Sequence, residues 1–167
     1  LAMREIIEVY RGVYGSRHNE VATVLNNLSN VVREQGRLAE ARRLLDEVLE
    51  IRRETVGSEH IDYAYSLLGL ARIQQLEGNS LGSAQTFAQA ATIFGQAQGD
   101  QAIRRSTLVR RVHALLDHGD ADLAAREMAA LGSWPGGTDN PASQARRLVE
   151  SWAQARIRIN QADWSGA

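Results

Sequence analysis

The chain has 167 residues, enough for one ordinary domain, and 19 basic against 20 acidic side chains leave a net charge of −1, which excludes the strong field of a dedicated nucleic-acid or membrane-surface domain. Hydrophobic residues at 44% and charged residues at 23% describe a chain that folds, while aromatics at 5% and only 2 prolines disfavour a β-sandwich or barrel and favour small side chains on long helices. Cysteine and lysine are both absent, which removes disulfides, thiolate metal sites, cysteine nucleophiles, Schiff bases and phosphate-loop lysines together.

The first element, 1–14, opens on Leu1 and reads at once as the interior of a helix, so the chain is expected to be a fragment of a longer polypeptide. Glu5, Glu8 and Arg11 recur 42 residues later as Glu47, Glu50 and Arg53. The same offset relates Gly15, Gly57 and Gly99, and the pairs His18/His60, Ala22/Ala64, Leu25/Leu67, Leu28/Leu70 and Gly36/Gly78. Segment 1–14 is therefore the second helix of a truncated repeat, followed by full units at 15–56 and 57–98. In the first full unit, Val21, Val24, Leu25, Leu28, Val31 and Val32 form one apolar stripe at helical spacing. After a turn at Gly36 comes a second stripe of Leu38, Ala41, Leu44, Leu45, Val48 and Leu49, whose opposite face offers Arg42 to Asp46 and Arg43 to Glu47 as (i, i+4) pairs. The next unit predicts helices over about 61–76 and 81–97, and a third, weaker unit at 99–131 predicts helices over about 102–117 and 121–131. Turn formers then fill 132–140, and Asn140 with Pro141 predicts the start of a capping helix at 141–159, built on Ala145, Leu148, Val149, Trp152 and Ala155. The tail 160–167 is expected to fray, with Trp164 free to fold back.

These residues resemble the tetratricopeptide repeat, in the longer 42-residue variant of kinesin light chains and of bacterial multidomain regulators. The first copy carries the family pattern as Leu25, Leu28, Ser29, Gly36, Ala41, Leu45 and Val48, and the second as Leu67, Leu70, Ala71, Gly78, Ser83, Phe87 and Ala90. Gly15 to His18, Gly57 to His60 and the run Leu25-Asn26-Asn27-Leu28 resemble the longer variant in particular. In the third copy His113 stands at the small-residue position and Gly119 arrives one residue early. The resemblance implies an all-α, right-handed solenoid of antiparallel helical hairpins closed by the capping helix. It also implies a non-catalytic, cytoplasmic protein-interaction module without a cofactor, joined in a longer protein to a kinase, ATPase or regulator domain.

Four histidines do not make a metal site, because His18 and His60 sit in equivalent turns of different repeats, and His113 and His118 are five apart rather than on one helical face. Asp117, Asp120 and Asp122 lack the spacing of a calcium loop and are read as helix caps. No nucleophile stands beside a base, and no stretch approaches the roughly 20 apolar residues of a bilayer span. The candidate site is the face shared by the first helices of successive repeats. It comprises Asn26, Asn30 and Arg33, then Tyr65, Leu68, Arg72 and Gln75, then Arg110, with Thr23, Thr107 and Asp117 beside them. Asn can bond a peptide backbone through donor and acceptor together, and Arg can clamp a carboxylate, so a protein or peptide ligand with acidic character is the expected partner. For any one of these side chains taken alone, a plain solvated face is the simpler reading. Two alternatives stay open. One is nucleic-acid binding through Arg104, Arg105, Arg110 and Arg111, which lacks interleaved aromatics and a basic excess. The other is self-association through a bare face of Met3, Ile6, Ile7 and Tyr10.

Overall fold

Three interior stripes of small and branched apolar residues, each too narrow to be covered by its own hairpin alone, force the helices to stack side by side. The computed structural model describes residues 2–96, 101–131, 151 and 153–159, all helical or in the turns between helices. In chain order the helices are α1 (Ala2–Tyr14), α2 (Asn19–Glu34), α3 (Leu38–Thr55), α4 (Ile61–Leu76), α5 (Ser80–Gln96), α6 (Gln101–His118) and α7 (Ala121–Leu131). Pairs α2/α3, α4/α5 and α6/α7 are the hairpins, and α3 packs on α4 and α5 on α6 to join one hairpin to the next.

The turns follow from local chemistry. His18 and His60 are N-caps: each imidazole Nδ1 accepts a backbone N–H two residues on, from Glu20 at 3.3 Å and from Asp62 at 3.1 Å. Each hairpin closes on a glycine with positive φ, at Gly36, Gly78 and Gly119, and the glycine and its successor donate back to the last-turn carbonyls. The early Gly119 makes the same closure as the others, its N–H bonding to Leu116 O and that of Asp120 to Leu115 O. α6 ends at the same repeat position as α2 and α4, at 118 against 76 and 34, and the one-residue shift is absorbed by a shorter turn, 119–120, before α7.

The core is continuous from repeat to repeat. Val21, Leu25, Val32, Ala41, Leu45, Val48, Ile51 and Ile73 pack together around α2 and α3. Leu67, Ala90, Ile93 and Phe94 fill the second hairpin, and Val112, Leu115, Leu116, Ala124 and Met128 the third. Ala41 and Ala90 are completely buried in the core. The helical segment 153–159 contributes Ala153 and Ile157 to the last cluster. The expected loop at 132–140, the Asn140 cap with Pro141, Ala145, Leu148, Val149 and Trp152, and the tail 160–167 with Trp164 lie outside the described residues.

Several expectations are corrected. Val31, placed in the apolar stripe, lies on its outer edge and is exposed. Ile7 and Tyr10, expected on a bare face of α1, pack into the α2/α3 core. Ile6 is exposed as expected, at 45%, and Val9 and Val13, at 63% and 70%, take the place of the other two, with the Met3 side chain outside the described set. The (i, i+4) pairs of α3 give way to longer-range partners. Arg42 reaches Glu77 at 2.7 Å, and Glu47 receives Arg11 at 2.8 Å, because stacked repeats bring a carboxylate from the neighbouring helix within reach. Among the described residues no helix is long and apolar enough to cross a membrane.

Candidate functional site

The 42-residue period sets where the first-helix side chains point. Taking off one and two periods puts Arg72 level with Asn30 and Arg110 level with Asn26, so Arg33, Arg72 and Arg110 step back by about one helical turn at each repeat. They therefore run diagonally across α2, α4 and α6. Long guanidinium stems close the remaining gaps, and the three line one open cavity of about 350 Å³ together with Gln75 and Leu76. Leu76 stands at its mouth, 58% exposed.

The cavity is electrostatically unbalanced. Partial burial, then the neighbouring charges of Arg110 and Arg33, hold the Arg72 guanidinium below its ordinary basicity. Several arginines elsewhere are matched: Arg4 with Glu40, Arg17 with Glu50 and Glu54, and Arg156 with Asp117. Here, among the described residues, the three arginines make a single ion pair, between Arg33 and Glu34 at 3.6 Å, and that carboxylate is turned to solvent.

The other expected groove residues divide. Asn26 and Asn30 are half-buried on α2, on the same face as Arg33. Tyr65 is exposed and sets its ring edge against Phe94, with centroids 5.2 Å apart. Leu68 packs against two of the core clusters and so supports the groove from beneath. Thr107 is corrected: it is buried, and its hydroxyl donates to Ile103 O at 2.8 Å within α6. Asp117 does not cap a helix but accepts from Arg156, whereas Asp120 does cap α7, accepting from the Leu123 N–H at 3.0 Å.

The basic cluster of Arg104, Arg105, Arg110 and Arg111 is split between two faces. Arg110 belongs to the cavity just described, while the other three line a second concavity of about 410 Å³ with Leu108 and Glu127. There Arg105 donates to Leu131 O at 2.5 Å, covering the last carbonyls of α7, and Arg111 pairs with Glu127 at 2.6 Å. Burial outweighs that pairing and holds the Glu127 carboxyl above its usual range. Among the described residues no three His, Cys, Asp or Glu side chains gather as a metal site would need.

One residue that shapes the site went unread in the sequence. Arg52 of α3 is 4% exposed, and its Nη1 donates to Asp62 O and to Ser66 Oγ, each at 2.7 Å, while Nη2 donates to Thr23 Oγ1 at 3.3 Å. It thereby ties α2 to α4. The available signal was its repeat position, which Tyr10 and Phe94 occupy in the neighbouring units: a cation stands where the pattern places an aromatic ring.

Residues 21–62 match the family model of the tetratricopeptide repeat. Among solved structures, the chain is similar to the nearly identical TPR-like repeats of a candidate kinesin light chain from Podosopora anserina. The TM-score is 0.72 at 17% identity, over 99% of this chain and 86% of that one. A single-substitution variant of that protein gives a TM-score of 0.72 at 16% identity with the same coverage. BtubC (BKLC) from P. vanneervenii gives 0.62 at 20% identity, over 83% of this chain and 62% of that one. No curated protein matches the sequence.

Proposed function

We propose that this tetratricopeptide-repeat chain is a non-catalytic protein-interaction module that holds an acidic segment of a partner protein on the face formed by α2, α4 and α6. Three arginines from three successive repeats line one cavity with no carboxylate among its lining residues, and that observation carries the reading. A bound acidic side chain relieves their mutual repulsion and forms charge-assisted bonds to planar donor forks. Asn26, Asn30 and Gln75 supply amides to the ligand backbone, and Tyr65 and Leu68 supply apolar footing. Tetratricopeptide repeats in general mediate protein contacts, and in a longer chain this module recruits the substrate or partner of an attached regulatory domain.

The test is selection from a peptide library, followed by titration of the selected ligand against wild type, Arg72→Ala and an Arg104→Ala/Arg105→Ala double variant. Arg72→Ala is expected to weaken binding about ten-fold or more, in line with about 1.5 to 3 kcal/mol for a shielded charge-assisted bond, with the double variant unchanged. Ligands without acidic preference, or an Arg72→Ala protein that binds them as wild type does, remove the reading. Loss of binding in the double variant with a steep salt dependence would favour the nucleic-acid alternative instead. Self-association has its own support in the exposed Ile6, Val9 and Val13 of α1. A molar mass that stays monomeric at high concentration in sedimentation removes it.

A further inference from the structure

The arginine cavity is more highly charged than a single carboxylate requires. A carboxylate carries one charge and two oxygens, which one guanidinium fork satisfies in parallel bonds. Arg33, Arg72 and Arg110 present three forks from three helices into one space of about 350 Å³, and Gln75 adds an uncharged amide. Among the described residues Arg72 and Arg110 make no ion pair, and Arg33 meets only the solvent-facing Glu34 of its own helix. A phosphate monoester carries about 1.5 to 2 negative charges near neutral pH and three terminal oxygens, so each fork can be given an oxygen of its own. Resting on the acidic-segment reading above, we infer that the Arg33, Arg72 and Arg110 cavity receives a phosphorylated serine or threonine of the bound segment, with exposed Leu76 at the mouth contacting an apolar neighbour of that residue.

The geometry supports the match in two further ways. The cavity is many times the volume of about 30 Å³ that one water molecule occupies in the liquid, so a phosphoryl group can enter with its stem and a bridging water. The arginines come from different repeats, so filling the cavity ties α2, α4 and α6 together, and modification of the partner becomes a switch for docking.

The experiment uses the whole 167-residue chain and three synthetic peptide libraries, degenerate except for a fixed central phosphoserine, glutamate or serine, read by fluorescence anisotropy. The phosphoserine library is expected to bind at least ten-fold more tightly than the glutamate library, and the serine library least. Arg72→Gln and Arg110→Gln should each bring the phosphoserine library down to the level of the glutamate one, with urea midpoints confirming that both variants fold, and Arg104→Gln should leave all three unchanged. Because the second phosphate proton binds near pH 6, the phosphoserine advantage should shrink between about pH 7 and pH 5.5. Equal binding of glutamate and phosphoserine overturns the phosphate inference and leaves the acidic-segment reading standing. Failure of both to exceed serine overturns the two together. Inorganic phosphate, or a 5′-phosphorylated single-stranded oligonucleotide, binding as tightly as the phosphoserine library overturns the assignment to a modified partner protein.

Discussion

Arg52 offers the sharpest test of how the face is held together. Its guanidinium is buried among α2, α3 and α4 and bonds only neutral acceptors, so it contributes hydrogen bonds at the expense of desolvating a charge. Burial lowers its basicity, and the nearby Asp62 charge offsets this only in part. In Arg52→Ala the two 2.7 Å bonds are lost, each worth about 1.5 to 3 kcal/mol as a charge-assisted contact, and a cavity opens beneath Ser66. Relief of the buried charge returns part of that, leaving a net destabilisation of about 2 to 4 kcal/mol. Arg52→Met keeps most of the volume and removes charge and bonds together, so it should cost less than about 1 kcal/mol. Urea unfolding followed by far-ultraviolet circular dichroism reads both as midpoint shifts at constant slope. A shift below about 0.5 kcal/mol in Arg52→Ala would refute the reasoning, since losing the bonds and leaving a cavity among three helices cannot be so cheap.

Replacing Ala41 or Ala90 by Leu should overpack a fully buried helix contact by about 1 to 3 kcal/mol, and unchanged denaturation midpoints in both would show that the helices do not meet there. Gly78→Ala, at a φ of +79°, should cost about 1 kcal/mol by forcing a side chain into the left-handed region, measured in the same urea assay. Burial foremost, with Arg156 and Arg110 adding to it, holds the His113 imidazole below its ordinary value in the folded chain. Below about pH 6.5 the unfolded chain therefore takes up a proton that the folded chain resists, so stability falls as pH drops from about 7 towards 5. His113→Ala, which restores the small residue found as Ser29 and Ala71 in the other units, should flatten that limb, and an unchanged pH profile would remove the assignment.

The hairpins and their glycine turns were legible in the chain alone, because each depends on residues within a few positions of one another. Spacings of three and four define a helix face, and a left-handed turn needs a glycine wherever it falls, which is why the displaced Gly119 still closes α6. The 42-residue repeat extended this local legibility across the molecule. It turns sequence offset into position in the stack, so Arg33, Arg72 and Arg110 fall on one face by the period alone. Only the tertiary structure decided which charges are matched. Arg42 prefers Glu77 of the next repeat to Asp46 of its own helix, Arg105 is spent on the end of α7, and Arg52 is buried where its neighbours in the repeat carry rings. Such choices depend on the distance and tilt between stacked helices and on long side chains that reach past their own turn, and no spacing within one helix encodes them.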